Sequence, residues 1–213
     1  LLRGALGWKW EHEHEDRRLL PAPAAGNVIR ANGRGGFDEY LLDESSGGFV
    51  SPIGVFARLW VAADGFLIER EPDGTRCRYH PLDGSPVAGR LESIEDRNGN
   101  RIAFARDARG RIDTARDPVG RIVRYVHDAE DRILRIEDPT GRTVRFEYGP
   151  AGDLVAVTRP AVVGTPTLNN FPQGKRREYR YRSGFVDERL NHNLEEIIDP
   201  REVASTLLPR VRI

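Results

Sequence analysis

The sequence predicts an all-β protein made of antiparallel strand-turn-strand units. Three observations support this fold class: a segment that recurs after 21 residues, apolar residues that alternate with polar ones, and turn residues at fixed places between short apolar runs. The recurrence is clearest in residues 117–121 and 138–142, which read DPVGR and DPTGR. A catalytic residue is usually needed once, whereas an architectural residue is needed once per unit. The repetition therefore favours a structural role.

The first strand of each unit follows a turn glycine. Five such glycines stand in frame: Gly74, Gly99, Gly120, Gly141 and Gly174. In the central copies an apolar residue stands three positions after the glycine and an aromatic residue stands five positions after it, with a mostly polar residue between them. This period of two predicts a half-buried strand. Its inward aromatic column consists of Tyr79, Phe104, Tyr125, Phe146 and Tyr179.

The second strand of each unit has a different spacing. Its apolar residues lie three positions apart, as in Ile112 with Ala115 and Ile133 with Ile136. Strict alternation forbids this spacing, and the segments between turns are too short to nucleate a helix. We therefore predict a β-bulge or a bend in the second strand.

Each unit closes on a turn, and the turn residues are the candidate structural sites. Proline suits the second position of such a turn because its φ is fixed, and glycine suits the fourth. The residues are Asp96, Gly99, Asp117, Pro118, Gly120, Asp138, Pro139, Gly141, Asp199 and Pro200. Residues 96–100 could be mistaken for a calcium loop but lack its spaced carboxylates and distal glutamate. The tail after Asp199 suits either a short helix or another strand.

The chain is predicted to have two parts. Residues 1–65 form a β-rich segment that precedes the repeats, and residues 66–213 carry the repeats. Three stretches lengthen the repeats without disturbing the frame, near 81–88, 160–173 and 182–193. Such insertions belong in surface loops. Asp64-Gly65, between two apolar runs, predicts a hairpin.

The stretch GWKWEHEHED predicts a strand near the N-terminus. Its alternation places Trp8, Trp10, His12 and His14 on one face. Two histidines two positions apart on a strand can share a metal ion. The competing interpretation is an aromatic, partly buried edge strand. Because no third ligand is identifiable, no metal site is assigned.

The amino-acid composition limits the partners that the chain is expected to bind. The 33 basic and 33 acidic residues balance, which argues against nucleic acid or an anionic membrane as the main partner. All the basic residues except Lys9 and Lys175 are arginines, which suit ion-pair ladders across strands.

Cys77 is the only cysteine, so no internal disulfide forms. No apolar run approaches the ~20 residues of a membrane span, and no signal peptide is visible. The chain contains no methionine, so we expect an internal piece of a longer polypeptide.

The motifs of common enzyme classes are missing from the sequence. It has no Gly-x-Ser-x-Gly elbow, no phosphate-binding loop and no dinucleotide-binding glycine pattern. Its carboxylates recur with the repeat, so they are interpreted as turn caps and not as acid and base. The stretch GKRREYRYR, residues 174–182, could bind a nucleic acid strand, but Tyr179 belongs to the inward aromatic column. The sequence therefore predicts neither an enzyme nor a cofactor.

The repeat resembles the YD repeat of the RHS family, found in bacterial RHS toxins, Tc-toxin components and teneurins. The resemblance covers about residues 66–200 and rests on RYVHD, DPVGR, DPTGR, RFEYGPAGDLVAVTRP and HNLEEIIDP. The pattern is not uniform, because Gly149 replaces the aspartate equivalent to Asp128, and Glu202 stands where the last turn would have glycine.

The resemblance implies a spiralling β-sheet that forms part of a hollow shell, in bacterial members often around a C-terminal toxic domain. It implies a secreted or cell-surface protein whose partners are further repeats and an enclosed domain of the same polypeptide. The self-cleaving aspartyl site of bacterial members is not carried over, because its sequence surroundings are absent here.

A different hypothesis is a surface-binding module for adhesion, possibly to carbohydrate, that uses the insertions at 81–88 and 160–173. Phe171 is its one candidate aromatic residue in these loops.

Overall fold

The structure is a computed structural model that describes residues 3–165, 170–200 and 211–212. The chain divides into two compact units. One comprises residues 11–124, and the other comprises residues 125–213 together with residues 1–10. They are called the 11–124 unit and the 125–213 unit below.

The secondary structure is almost entirely β. The elements before the repeats are β1 (Arg3–Gly4), β2 (Gly7–Trp8), α1 (Glu13–Asp16), β3 (Arg17–Pro21), β4 (Val28–Asn32), β5 (Phe37–Asp43) and β6 (Gly48–Val50). The following strands are β7 (Arg58–Val61), β8 (Leu67–Arg70), β9 (Arg76–Tyr79), β10 (Leu91–Glu95), β11 (Arg101–Arg106), β12 (Ile112–Arg116), β13 (Ile122–His127), β14 (Ile133–Glu137), β15 (Thr143–Tyr148), β16 (Leu154–Arg159), β17 (Lys175–Tyr181), β18 (Leu194–Ile198) and β19 (Val211–Arg212). A 3₁₀ turn covers Glu188–Leu190. The described helices are too short to cross a membrane.

The strands from β7 onward form a ladder in which neighbours in the sheet are also neighbours in the chain. Each observed pairing is antiparallel, from β7 to β13 and from β14 to β19. This pattern confirms the predicted all-β class and the antiparallel strand-turn-strand unit. It arises because short turns permit only antiparallel neighbours. The division between the two units falls within β13.

The second strand of the repeat contains the predicted irregularity. Register shifts leave one extra residue unpaired in four of these strands, at Glu92, Asp113, Val155 and Glu195. A single extra residue reverses the side-chain alternation, which explains the three-residue spacing between apolar positions. The prediction of a bulge is confirmed. The hairpin predicted at Asp64-Gly65 is also confirmed, since it joins β7 to β8 and Gly65 has a φ of 84°.

In the 11–124 unit the core lies between the ladder and a second sheet. Strands β3 to β6 form this N-terminal sheet, in chain order and antiparallel. It buries Leu19 and Tyr40, and the ladder buries Tyr79 and Leu91, all at 0% exposure. The Leu19 N–H donates to the carbonyl of Gly89 (2.8 Å), which links the two sheets. Burying one face of each sheet follows from the alternation of their side chains.

In the 125–213 unit the residues that precede Glu11 contact the ladder. The Ile133 N–H donates to the Ala5 carbonyl (2.9 Å), and Trp8 Nε1 donates to the Ala151 carbonyl (2.8 Å). Trp10 Nε1 donates to Tyr181 Oη (2.8 Å). The apolar side chains of Ile133 and Leu154 are fully or almost fully buried, at 0% and 1% exposure. The N-terminal residues therefore contribute to the core of this unit.

The predicted strand over GWKWEHEHED is wrong. Only its first two residues, Gly7 and Trp8, lie in a strand, and Lys9 has a φ of 59°, which ends the extended conformation. Glu13–Asp16 form α1, capped by His12, whose Nδ1 accepts a hydrogen bond from the Glu15 N–H (3.3 Å). Local side-chain capping therefore prevails over the period-two pattern.

Two expectations concern boundaries and the tail. The division between residues 65 and 66 stays a prediction, and the ladder strands begin at Arg58. Residues 201–210, where the tail was expected to form a helix or a strand, lie outside the described residues. Beyond them β19 pairs with β18.

Cys77 reports on the ladder of the 11–124 unit. Its side chain is 0% exposed, and burial raises the pKa of its thiol to about 12. We expect a thiol reagent to label the folded chain at least about a thousandfold more slowly than the denatured chain, because labelling requires opening of the core and formation of a thiolate. Stopped-flow labelling with and without denaturant measures this ratio. Equal rates would place Cys77 on an exposed face.

Candidate functional site

The repeat turn is a five-residue loop organised by its first side chain. In the copy at residues 117–121, Asp117 Oδ1 accepts the N–H groups of Val119 (3.0 Å) and Arg121 (2.9 Å). The Gly120 N–H donates to the Asp117 carbonyl (3.0 Å), and Arg121 Nε donates to Asp117 Oδ2 (2.6 Å). Pro118 lacks an N–H group, and this pattern needs none at that position. One carboxylate thus holds both the backbone and the side chain of the loop.

The same contacts recur in the other copies. Asp96 Oδ1 accepts the N–H groups at positions 98 and 100, and Asp138 Oδ1 accepts those at 140 and 142. The glycines at the fourth position have φ values of 85°, 88° and 82°, a region that side chains disfavour: Gly99, Gly120 and Gly141. Pro139 takes the second position, as Pro118 does. Hydrogen bonds from Thr140, then from Arg142, lower the pKa of Asp138.

The second turn of each unit has the same geometry as the first, which the sequence analysis missed. Asp107 Oδ1 accepts the N–H groups of Arg109 (2.9 Å) and Arg111 (3.0 Å), and Asp128 Oδ1 makes the equivalent pair of bonds. The signal was present as aspartate followed by arginine four residues later. In the next copy Gly149 replaces the aspartate, and only the backbone bonds remain.

Arginines form ion pairs within the turns as well as between the strands. Among the described residues, four turns contain an ion pair between the first aspartate and the arginine four residues later, each at 2.6 Å: Asp107–Arg111, Asp117–Arg121, Asp128–Arg132 and Asp138–Arg142. Pairs across strands also occur, such as Arg180 with Glu196 at 2.9 Å. Arginines therefore form ion pairs across strands, as expected, and also form ion pairs within single turns.

The last predicted turn is described only at its start. Asp199 Oδ1 accepts a hydrogen bond from Arg177 Nη2 (3.0 Å), which joins it to β17. Pro200 is the last residue before the undescribed stretch, so the remainder of this turn lies outside the described residues.

The aromatic column differs in burial along the ladder. Tyr79 and Phe104 are 0% and 4% exposed in the 11–124 unit. Tyr125, Phe146 and Tyr179 are half-buried. The ring of Trp10 meets the edge of Tyr179 at a centroid distance of 5.2 Å.

A buried charge network joins the N-terminal sheet to the ladder inside the 11–124 unit. Glu69 is 0% exposed and accepts hydrogen bonds from Arg17 Nη2 (2.8 Å), Tyr79 Oη (2.6 Å) and Arg30. Burial alone would raise the pKa of Glu69, but Arg17, Arg30 and the Tyr79 hydroxyl outweigh burial and lower it. Glu69 is therefore a buried carboxylate with two cationic partners from the other sheet.

A second buried carboxylate, on α1, contacts the same ladder. Glu15 is 4% exposed, and both its oxygens lie 3.2 Å from Arg106 Nη1. The Ile112 N–H donates to Glu15 Oε2 (2.7 Å), and Arg90 Nη1 donates to the Glu15 carbonyl (3.0 Å). No local sequence pattern marks Glu15 for burial, because the hydrogen-bond partners of its carboxylate lie 75 residues or more away.

The histidine pair occupies this helix and not a strand. His12 caps α1, and the rings of His12 and His14 lie 6.0 Å apart. The described residues contain no group of three or more histidine, cysteine, aspartate or glutamate side chains that could hold a metal ion.

Comparison with known proteins bears on the repeat. Residues 127–161 match the family model of the RHS repeat. This segment carries an RHS repeat. The matched segment begins at the end of β13 and contains β14, β15 and β16 with the turns between them. No curated protein matches the sequence significantly.

Two solved structures have limited similarity to the chain. The pore form of the Tc holotoxin of Photorhabdus luminescens is 17% identical over 73% of this chain and 8% of that one, with a TM-score of 0.37. A crystal structure of TcdB2-TccC3-Cdc42 is 17% identical over 74% of this chain and 9% of that one, with a TM-score of 0.38. Scores this low do not establish a common overall fold. The chain spans less than a tenth of either protein.

The three predicted insertions differ in their surroundings. In the 81–88 insertion, the Gly89 N–H that follows it donates to the Pro81 carbonyl (3.2 Å), and the Pro86 carbonyl lies close to Gly110. The 160–173 insertion borders a groove of about 560 Å³ with Phe171, Arg145 and Arg176 among its lining residues. The 182–193 insertion contains the 3₁₀ turn. Their assignment as insertions stays a prediction.

The lowered pKa of Glu69 predicts a dependence of stability on acid. An acidic group with a lowered folded pKa stabilises the folded state above its unfolded value, about 4.3, and this contribution is lost as the pH falls through that value toward the folded one. We expect the wild type to lose more stability between pH 5 and pH 3 than the variant Glu69→Gln, which cannot titrate there. Denaturation at a series of pH values measures the difference. Parallel pH profiles would contradict a lowered pKa.

Proposed function

We propose that the chain is a structural segment of an RHS-type repeat shell that encapsulates or carries a toxic cargo domain of an exported bacterial protein. Its partners are then the remainder of the same polypeptide, including further repeats, and its location is outside the producing cell or on its surface. The proposal assigns the chain no catalytic activity, cofactor or metal.

The repeated turn carries this proposal. Equivalent aspartates make equivalent contacts with their own loops, so each of them holds a turn. Strands that follow one another in chain order can be extended by further units without a change in topology. Both properties suit a wall built by repetition.

Protease protection tests the proposal on the complete polypeptide that carries this chain. We expect the domain that follows the repeats to resist a protease at a concentration that digests the same domain produced alone. The variant Glu69→Ala, which weakens the wall, should shorten the protected lifetime, whereas Glu71→Ala, at a partly exposed position, should have little effect. Equal digestion of the enclosed and isolated domain would contradict encapsulation.

A surface-binding module is the second candidate. The groove beside Phe171 favours it, since Asn170, Gln173 and two arginines provide polar groups around an aromatic ring. A glycan array with wild type and Phe171→Ala tests it. Retention that is lost in the variant supports the module, and no retention removes it.

A further inference from the structure

The first strands of the ladder carry a row of arginines on their exposed face. Arg58 lies directly opposite Arg70, and Arg70 lies directly opposite Arg76. The neighbouring positions Glu69 and Cys77 point to the other face, where both are 0% exposed. The three arginines are exposed. Three like charges therefore project side by side from β7, β8 and β9.

This row is unfavourable for stability. Like charges directly opposite one another in a sheet are destabilising. Among the described residues, no carboxylate forms an ion pair with Arg58 or Arg70, and the pair of Arg76 with Glu95 is long, at 3.7 Å. The arginines at the fifth position of four repeat turns, by contrast, pair at 2.6 Å: Arg111, Arg121, Arg132 and Arg142. The charges of Arg58 and Arg70 are therefore not compensated by an ion pair among the described residues, which favours an anionic ligand.

An apolar floor lies beside the arginines. Trp60 stands opposite Ile68, and Ile68 stands opposite Arg78, in the next row on the same face. The guanidinium of Arg78 covers the ring of Phe66 at 3.8 Å from its centroid. These residues line a groove of about 450 Å³ together with Arg70, Arg76, Arg101 and the carboxylates of Glu92 and Glu95. With four arginines against two carboxylates, the groove keeps an excess of positive charge. Its volume is within the range of small-ligand sites.

The side chains of the groove favour one class of anionic polymer over the others. A peptide lying on a sheet face would find no free backbone partners, because the ladder already uses those groups. A single-stranded nucleic acid needs several open aromatic faces for successive bases, but the face of Phe66 is occupied by Arg78. An acidic sugar needs one apolar platform, which Trp60 and Ile68 provide, and guanidinium groups for its carboxylate or sulfate.

We propose that this groove, formed by Trp60, Ile68, Arg70 and Arg76 on the exposed face of β7–β9, binds an acidic polysaccharide. The sugar ring packs on Trp60 and Ile68, and the anionic substituents pair with the arginines. Neighbouring arginines lie one strand apart, about 4.8 Å, so the bound chain runs across the strands with one anionic group for each. This assignment is independent of the proposed shell function.

Titration calorimetry of the whole chain with two acidic polymers, heparin and polygalacturonate, and with neutral dextran tests the groove. We expect at least one acidic polymer to bind and dextran not to bind. The double variant Arg70→Gln/Arg76→Gln should bind at least about tenfold more weakly, because it removes two guanidinium groups that donate charged hydrogen bonds to the polymer. The matched variant Arg34→Gln/Arg189→Gln removes the same charge from exposed sites elsewhere and should bind like the wild type. Trp60→Ala should also weaken binding.

Stability separates a binding role from a structural one. Removing Arg70 and Arg76 relieves repulsion, so the unfolding midpoint should stay the same or rise while affinity falls. Cys77 protection checks that the variants are folded. Absence of binding to both acidic polymers at low salt would overturn the site, as would equal loss of binding in the matched variant. Equal affinity for poly-glutamate or single-stranded DNA would overturn the assignment to a polysaccharide.

Discussion

Replacing Glu69 with alanine is expected to lower the free energy of unfolding by about 3–5 kcal/mol. The carboxylate is 0% exposed and is the shared partner of Arg17 and Arg30 from the N-terminal sheet and of Tyr79 from the ladder. Its removal leaves two guanidinium groups with little compensation in a buried position. The loss should appear in denaturant unfolding as a lower midpoint and as faster labelling of Cys77.

Glu71→Ala is the matched control for this variant. Glu71 lies 3.2 Å from Arg17 and 3.6 Å from Arg30, but its side chain is 31% exposed. Solvent screens such pairs, so we expect a loss of about 1 kcal/mol or less. If both variants lost the same small amount, Glu69 would not be the link between the two sheets.

Gly110→Ala is expected to be the second most damaging change. Gly110 has a φ of 80°, and a Cβ built there would lie 2.0 Å from the carbonyl oxygen of Pro86. The variant therefore combines backbone strain of about 1–2 kcal/mol with overpacking of about 1–3 kcal/mol. The overpacking arises because a backbone atom, and not the end of a flexible side chain, has to move.

Gly120→Ala isolates the backbone strain. Gly120 has a similar φ of 88°, but a Cβ there would meet nothing within 4 Å. We expect a loss of about 1–2 kcal/mol, from strain alone. The difference between the two variants measures how tightly the 81–88 insertion packs on the repeat turn. Equal losses would mean that this insertion moves away at no cost.

The repeating features of the fold are predictable from the sequence because they depend on neighbours along the chain. The frame of turn glycines, the hairpin at Asp64-Gly65 and the bulge in the second strand all follow from spacings within about 20 residues. The second turn could also have been recognised, since Asp107 and Arg111 have the spacing of Asp117 and Arg121.

The N-terminal residues are not predictable in this way because their partners are distant. Glu15 is buried against Arg106 and Ile112, and Lys9 leaves the extended conformation while its Nζ donates to Asn193 Oδ1 (2.6 Å). A local alternation of apolar and polar residues cannot show such contacts. It also assigned His12 and His14 to a strand face when they belong to a capped helix.

The candidate sites likewise divide into those that depend on residues nearby in the sequence and those that depend on distant ones. The turn residues could be identified because each one repeats with its own partners close by in the sequence. The Glu69 network and the arginine row could not, because they require the register of β7, β8 and β9 and the position of the N-terminal sheet. Registers of this kind depend on which face of each strand is buried.

The central claim is that the repeated aspartates are architectural, and the free energy of unfolding of Asp117→Ala, Asp138→Ala and the double variant tests it most directly. Asp113→Ala is the matched control, an exposed aspartate at the bulge in β12, just before the turn at 117–121. If each aspartate holds its own turn, the two single variants lose similar stability, the double variant loses the sum, and the control loses little. Unchanged stability in all the variants would contradict an architectural role.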